Sequence, residues 1–512
     1  MVETGYPPLP DGVLAIDGPA ALPWEQLVRS LPRCRTLDIR EHTSAWKDTG
    51  TDDPAFAHAP TGALADLIGD VPAAEGRTVV YGPGSALVAH HQLWYADIPK
   101  RLALEAVQHG AAPNIGQAAG SRGGERQLLY VDWPLQDRHK QALLPRIDRY
   151  LDLSDPARPR TLGGDALRST LFALAGRPFR TRPTFLPGPW GGQWLRRELG
   201  IETDASNLAW SYELITPEAG ILFDSLEVGF ELLMAEQSER VLGVEIAARF
   251  GRSFPIRFDY LDTLEGGHLS IQCHPRDDYM EDVFGLPYTQ VETYYVMKTT
   301  PGAKIFLGLK DGADVGLFEA DARAALDGRA FDPERHLQAH EARQHQLYLI
   351  PAGTPHASGA GNVVLEISAT PYLYTLRFYD WLRADQAGVL RPVHLEHALA
   401  NLDETRRGAT VTRELIQEPR VVRAGGGWTE LALGGVRELF FAVHRLDFDG
   451  QVPDDTAGRF HVLNLVEGGE VTLETAAGDS HPLAYAETIV VPAAVGAYRL
   501  RGCGKAIKAI VA

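Results

Sequence analysis

Leu269-Ser270-Ile271-Gln272-Cys273-His274-Pro275 reads as a β-strand carrying an amide and an imidazole at alternate positions. Successive strand side chains point to opposite faces, so Gln272 and His274 share one side and Cys273 takes the other. Working outward, Val291-Glu292-Thr293-Tyr294-Tyr295-Val296-Met297 is a β-branched and aromatic run, a second strand that would bring a carboxylate to the same cavity. Gln346-Leu347-Tyr348-Leu349-Ile350 is a third strand, ended by the turn Pro351-Ala352-Gly353-Thr354-Pro355, which would set His356 at a barrel mouth. A lone histidine on a strand is ordinarily a core or surface group; the joint arrangement points to a metal. Gln272, His274, Glu292 and His356 would form a borderline-soft N/O set for one divalent ion, Zn2+ first, with Fe2+, Co2+, Ni2+ or Mn2+ compatible.

These segments resemble class I mannose-6-phosphate isomerase. The resemblance runs through Phe254 to Asp262, Leu269 to Pro275 with Asp277-Asp278, Pro301 to Ile305, Gly308-Leu309-Lys310, Pro351 to Gly361, Val364 to Ile367, Leu376 to Trp381 and Pro392 to Leu399. Upstream, Pro189-Trp190-Gly191-Gly192 and Trp210-Ser211-Tyr212-Glu213 are similar to the family's opening segments, so the match covers about residues 185 to 512. It implies two cupin jelly-roll barrels, the first binding metal through those four residues, and Arg377 in place of the family's active-site arginine. Two residues before the glutamate ligand the family usually carries a lysine, and this chain has Gln290. A neutral amide cannot act as an ammonium. Lys310, Arg377 and Arg383 are the cations that would fill the role, unless the substrate differs.

Aldose–ketose isomerisation moves a proton between adjacent carbons through an enediolate. The carbonyl oxygen must be polarised and a base placed beside the acidic carbon. Glu366, ten residues after His356 and flanked by Leu365 and Ile367, is a candidate base or a residue that orients a ligand. Arg377 would hold an anionic group. Mannose 6-phosphate to fructose 6-phosphate is the expected reaction, or a related phosphorylated or free sugar. A non-catalytic sugar-binding or regulatory cupin is the alternative. An iron cupin oxygenase fits less well, because Gln272 stands where a second histidine would be expected.

The chain has 512 residues, more than one core usually supports, with 45% hydrophobic and 23% charged residues. A formal charge of −18 argues against nucleic acid or anionic membrane as a bulk partner. No apolar run approaches the roughly 20 residues of a membrane span, and the first residues lack a secretion-signal pattern, so a cytoplasmic location is expected. Three cysteines, Cys34, Cys273 and Cys503, make no disulfide framework. Oligomeric state is not legible.

The fold class expected is multi-domain and mainly β: two cupin barrels with a helical insert, preceded by an α/β kinase-like domain. Within residues 1–180, Gly12 to Ala21 reads as a strand entering a glycine turn before the helical Trp24 to Leu31, resembling the opening of a P-loop nucleoside or uridine kinase. The loop Gly18-Pro19-Ala20-Ala21-Leu22-Pro23 has no lysine and two prolines, so the phosphate loop is degenerate. Strands are predicted at Arg77 to Gly82, Leu93 to Asp97 and Gln127 to Asp132, with helices at Arg101 to His109 and Arg138 to Leu144. Arg177 to Pro183 reads as a linker. The metal-bearing domain is expected over 183–400, with a helical insert from Leu317 to His345 bearing His336, His340 and His345. Gly425-Gly426-Gly427 would introduce a non-catalytic barrel over 425–512, where His444, His461 and His481 show no ligand pairing.

Overall fold

The computed structural model describes residues 2–47, 53–215, 219–370, 373–384 and 389–512. Two compact units are present: residues 1–175 with 217–238 and 283–285, and residues 176–216, 239–282 and 286–512.

The first unit is built on a seven-stranded sheet ordered Glu3–Thr4, Arg160–Gly163, Arg149–Asp152, Gln92–Asp97, Val13–Asp17, Thr78–Tyr81, Arg35–Asp38. The last five run parallel. Val13–Asp17 is central and buried at every position, as a parallel strand covered on both faces requires. Its terminal Asp17 accepts the backbone N–H groups of Gly18, Gly84 and Ala86 and lies 3.0 Å from His139 Nε2. In the following loop, Trp24 Nε1 donates to Pro19 O at 3.0 Å, so an indole closes the turn where a phosphate loop would stay open. Gly18 is required there: a Cβ would meet Ala96 O at 2.3 Å. The predicted strand Gln127 to Asp132 is instead helical, spanning Glu125–Gln127 and a π-turn at Leu128–Asp132 that run into Trp133–Leu143. A short apolar run does not distinguish a strand from a buried helix.

The antiparallel hairpin Gly220–Phe223/Leu226–Gly229 and the start of helix Phe230–Leu242 also belong to this unit. They complete an ionic cluster over the strand ends. Lys140 Nζ contacts Asp97 at 2.5 Å and Glu231 at 2.6 Å, Lys100 contacts Asp137 at 2.5 Å, and Arg101 binds Glu227.

The second unit holds three antiparallel sheets. The first is ordered Leu347–Ile350, Glu292–Thr299, Asn362–Ala369, Ile256–Asp262, Trp210–Leu214, Thr184–Leu186; the second Leu337–Glu341, Lys304–Leu309, His356–Ser358, Ile271–Cys273, Leu376–Tyr379. The predicted helical insert is only partly so. Val315–Leu326 and Pro333–His336 are helical, but Leu337–Glu341 is a strand paired with Lys304–Leu309, which takes His340 off any helix. His336 is buried against Asp321 at 2.8 Å.

In the third sheet Phe441–Asp455 pairs with Ala497–Val511 along its whole length, over a core including Leu446, Leu463, Leu473 and Ile489. Gly425 to Gly427 lie at the tip of the hairpin Arg420–Gly425/Trp428–Ala432, inside the sheet and not ahead of it. Phe179, in the predicted linker, forms a bridge with Val490. Lys508 Nζ contacts Glu430 and Asp454, each at 2.7 Å. His444 binds Glu430 at 2.6 Å, and burial pushes His461 down to about 4 beside Tyr498.

Glu213 is buried against Ser211 and Thr488, and burial pushes its carboxyl up to about 8 from 4.5. The unfolded chain therefore releases this proton first as pH rises. Stability is full below pH about 4.5, declines until about 8, and is flat above. Glu213→Gln removes the titration. The variant is expected to gain on the order of 4 kcal/mol relative to the parent between pH 4.5 and 8.5. Urea midpoints at both pH values check this; a pH-independent difference would overturn it.

Candidate metal centre

Gln272 and His356 come from the second sheet of this unit, His274 directly follows the strand Ile271–Cys273, and Glu292 comes from the first sheet. Gln272 pairs in register with His356 on one side and Arg377 on the other, and Glu292 pairs with Ser368 and Ile350. These registers, not proximity in sequence, bring the groups together. His274 Nε2 lies 3.0 Å from Glu292 Oε2 and His356 Nε2 2.7 Å from Glu292 Oε1. One ligand atom from each of the three lies within 4.8 Å of the others, and all three side chains are buried. Gln272 Nε2 is 3.4 Å from His356 Nε2, and its Oε1 accepts from Ser270 Oγ at 2.9 Å.

The donor set fits a divalent ion of the zinc class. Each histidine turns Nδ1 to a backbone carbonyl, His274 to Tyr374 O at 3.3 Å and His356 to Thr354 O at 2.9 Å. A proton held on Nδ1 leaves the Nε2 lone pair facing Glu292. Burial lowers the proton affinity of His274, favouring the neutral imidazole that a metal needs. Burial opposes ionisation of Glu292, but the flanking imidazoles, when protonated and donating from Nε2, outweigh it and hold the carboxyl well below its usual range; with the rings neutral, a bound cation would take that part. Cys273, on the opposite face, is buried with Sγ 3.7 Å from Ala398 O, and burial raises its thiol pKa.

Gln290 joins the centre itself: Nε2 donates to Glu292 Oε2 at 2.9 Å and lies 3.3 Å from His274 Nε2. Glu366 lies two rows along on the same strand face, opposite Tyr294 and Asp259. It binds Arg257 and accepts from Ser368 Oγ at 3.0 Å. Burial raises the pKa of Glu366 well above its usual range, reinforced by Asp259 and Glu292. Arg377 flanks Gln272 and donates from Nη1 to Pro392 O at 3.3 Å. The other two cations do not join the centre. Lys310 is exposed at a strand end, its backbone N–H bonded to His336 O. Arg383 is bound to Asp380 at 2.9 Å and to His268 O.

Sequence reading overlooked Arg257 and Asp259, which with Glu366 form a buried ionic cluster. Arg257 Nε donates to Ser368 Oγ at 2.6 Å and lies 3.4 Å from Asp259 Oδ1. Burial pushes Asp259 up to about 7, opposed by Arg257 and reinforced by Glu292. The available signal was the alternation Ile256-Arg257-Phe258-Asp259-Tyr260: charges on one face of a strand whose seven residues are all buried.

Residues 10–176 match a family described as a domain of unknown function (DUF8485). Mannose-6-phosphate isomerase of Streptococcus mutans is 24% identical over 322 residues, covering 61% of this chain and 92% of that protein. Mannose-6-phosphate isomerase ManA of Bacillus subtilis is 22% identical over 344 residues, covering 65% and 99%. A crystal structure of the mannose 6-phosphate isomerase from Bacillus subtilis superimposes with a TM-score of 0.54 at 20% identity, again covering 65% of this chain and 99% of the other. About two-thirds of this chain is thus similar in sequence to mannose-6-phosphate isomerases and has their fold.

Proposed function

We propose that this protein is a metal-dependent aldose–ketose isomerase for sugars of the mannose–fructose type, the 6-phosphates named for its relatives or a related sugar. The observation that carries the reading is the convergence of His274, Glu292 and His356 on one point, with Gln272 beside them. A divalent cation held there, Zn2+ first among those the donors suit, would supply Lewis-acid polarisation of a sugar carbonyl.

The protein's own groups divide the remaining work. The Nδ1 bonds of His274 and His356 keep both rings aimed at the centre. Glu366 stands two residues from Ser368, the register partner of Glu292, about 7 Å along the strand. With its proton affinity raised by burial above the ordinary carboxylate range, Glu366 would exchange the proton that moves between adjacent carbons, while Arg257 fixes its carboxyl. Arg377, alongside Gln272, is placed to orient the substrate. The N-terminal unit, with its indole-closed loop, is proposed as a kinase-like scaffold without phosphoryl transfer.

The test is isomerisation of phosphorylated and free aldoses by metal-replete and chelated protein, with metal content measured alongside. Turnover that disappears on chelation and returns with metal supports the reading; its absence across the panel overturns it. Glu366→Gln is expected to lower kcat by about 10²–10⁴-fold with metal content unchanged. Sugar binding without turnover is what a regulatory cupin would give, a second reading favoured by the amide of Gln290 at the centre.

A further inference from the structure

Resting on the metal-centre reading, we infer that Gln290 is itself a metal ligand through its amide oxygen, so that the centre has five protein donors. Two donors each roughly 2.1 Å from one ion, at tetrahedral or octahedral angles, stand about 3.0–3.4 Å apart. The groups already assigned stand near this spacing: His274 and His356 Nε2 are 3.0 and 2.7 Å from the Glu292 oxygens, and the amide nitrogen of Gln272 is 3.4 Å from His356 Nε2. The amide end of Gln290 meets two ligand atoms, Glu292 Oε2 at 2.9 Å and His274 Nε2 at 3.3 Å. By distance its place in the cluster is as close as that of Gln272. The order along the chain is also the same, since each glutamine stands two residues before a ligand, Gln272 before His274 and Gln290 before Glu292.

The end of Gln290 that faces the ligands is Nε2, and this follows from the charge there. A half-turn of the last side-chain bond exchanges the two ends of an amide, and the local field decides which end faces in. Beside an uncompensated Glu292 carboxylate the N–H end is favoured. Beside a divalent cation the dipole reverses and the oxygen is favoured. Both hydrogen bonds of Nε2 go to the ligand atoms themselves, and Oε1 has no hydrogen-bond partner among the described residues, so no other bond holds the amide in its present sense. The side chain is 2% exposed, which keeps its end at the centre. An ammonium in this place would repel a divalent ion, whereas an amide oxygen coordinates one.

The experiment titrates chelator-stripped full-length protein, and its Gln290→Glu and Gln290→Leu variants, with Zn2+ against a competing chelating dye at about pH 8, where carboxylate ligands are deprotonated. The visible absorption of each protein loaded with Co2+ is recorded alongside. Gln290→Glu keeps an oxygen at the same reach and adds charge, and is expected to bind Zn2+ at least about tenfold tighter. Gln290→Leu is expected to bind at least about tenfold weaker, with more intense Co2+ bands than the parent, because fewer donors bring the ion nearer to tetrahedral symmetry. A residue that only propped Glu292 through its N–H would behave differently: both variants would weaken binding, since glutamate loses that donor and sets two carboxylates together. Affinity of Gln290→Glu that is unchanged or weaker therefore overturns the fifth ligand, as do unaltered affinity and Co2+ bands in Gln290→Leu. Unfolding midpoints of the stripped proteins identify a Gln290→Leu variant that does not fold, in which case Gln290→Glu alone decides. A parent that binds no metal removes the centre and this ligand with it; a parent that binds one equivalent, with Gln290→Glu no tighter, leaves the centre standing and removes only Gln290.

Discussion

Glu292→Gln is expected to empty the metal centre and to lower isomerase turnover by more than the 10–100-fold typical of residues that only support a ligand. The glutamate faces both ligand imidazoles, at 3.0 and 2.7 Å, and is the one anion within the cluster itself. An amide of the same shape keeps the packing but brings no charge to neutralise a divalent ion. It also presents N–H groups to Nε2 atoms that should be binding metal. Metal analysis of the purified variant is the direct measurement. About one equivalent per chain in Glu292→Gln, equal to the parent, would refute this site as the metal centre whatever the activity.

The second large effect is on stability, far in sequence from the metal. Lys140→Met is expected to destabilise the protein by about 3–5 kcal/mol, because removing one member of a buried ion pair leaves uncompensated charge. The Lys140 side chain is 6% exposed, and those of its partners Asp97 and Glu231 are 9% and 6% exposed. Tyr150 OH donates to Asp97 at 2.9 Å, but a single hydroxyl does not neutralise two carboxylates. Denaturant midpoints for Lys140→Met and for the exposed control Lys310→Met separate this from a generic loss of charge. A shift no larger than that of the control would show that Lys140 does not hold the cluster together.

Some of the centre was readable one strand at a time. The i, i+2 placement of Gln272 and His274 follows from the two-residue period of a strand, and the turn Pro351 to Pro355 positions His356 for reasons local to it. Cys273 falls on the other face by the same arithmetic. Glu292 was legible as a strand residue, although its facing across to the histidines depends on sheet pairing. Lys310 and Arg383 show the limit: a cation's type and neighbourhood in sequence do not say whether it ends exposed or bound to an aspartate. Gln127 to Asp132 was misread because an apolar run of that length carries no decisive period.

The amino-acid sequence by itself determined which residues can ligate a metal, on which face of each strand they stand, and that a phosphate-binding lysine is missing from the N-terminal loop. These are consequences of side-chain chemistry and backbone period. Only the tertiary structure decided that Arg257, Asp259 and Glu366 share one buried cluster. The same holds for Gln290, which donates to Glu292, and for residues 219–238, which belong to the N-terminal unit. Such outcomes depend on strand register and chain packing between segments up to about a hundred residues apart. A one-residue slip would turn each of these side chains to the opposite face, and no local pattern encodes that choice.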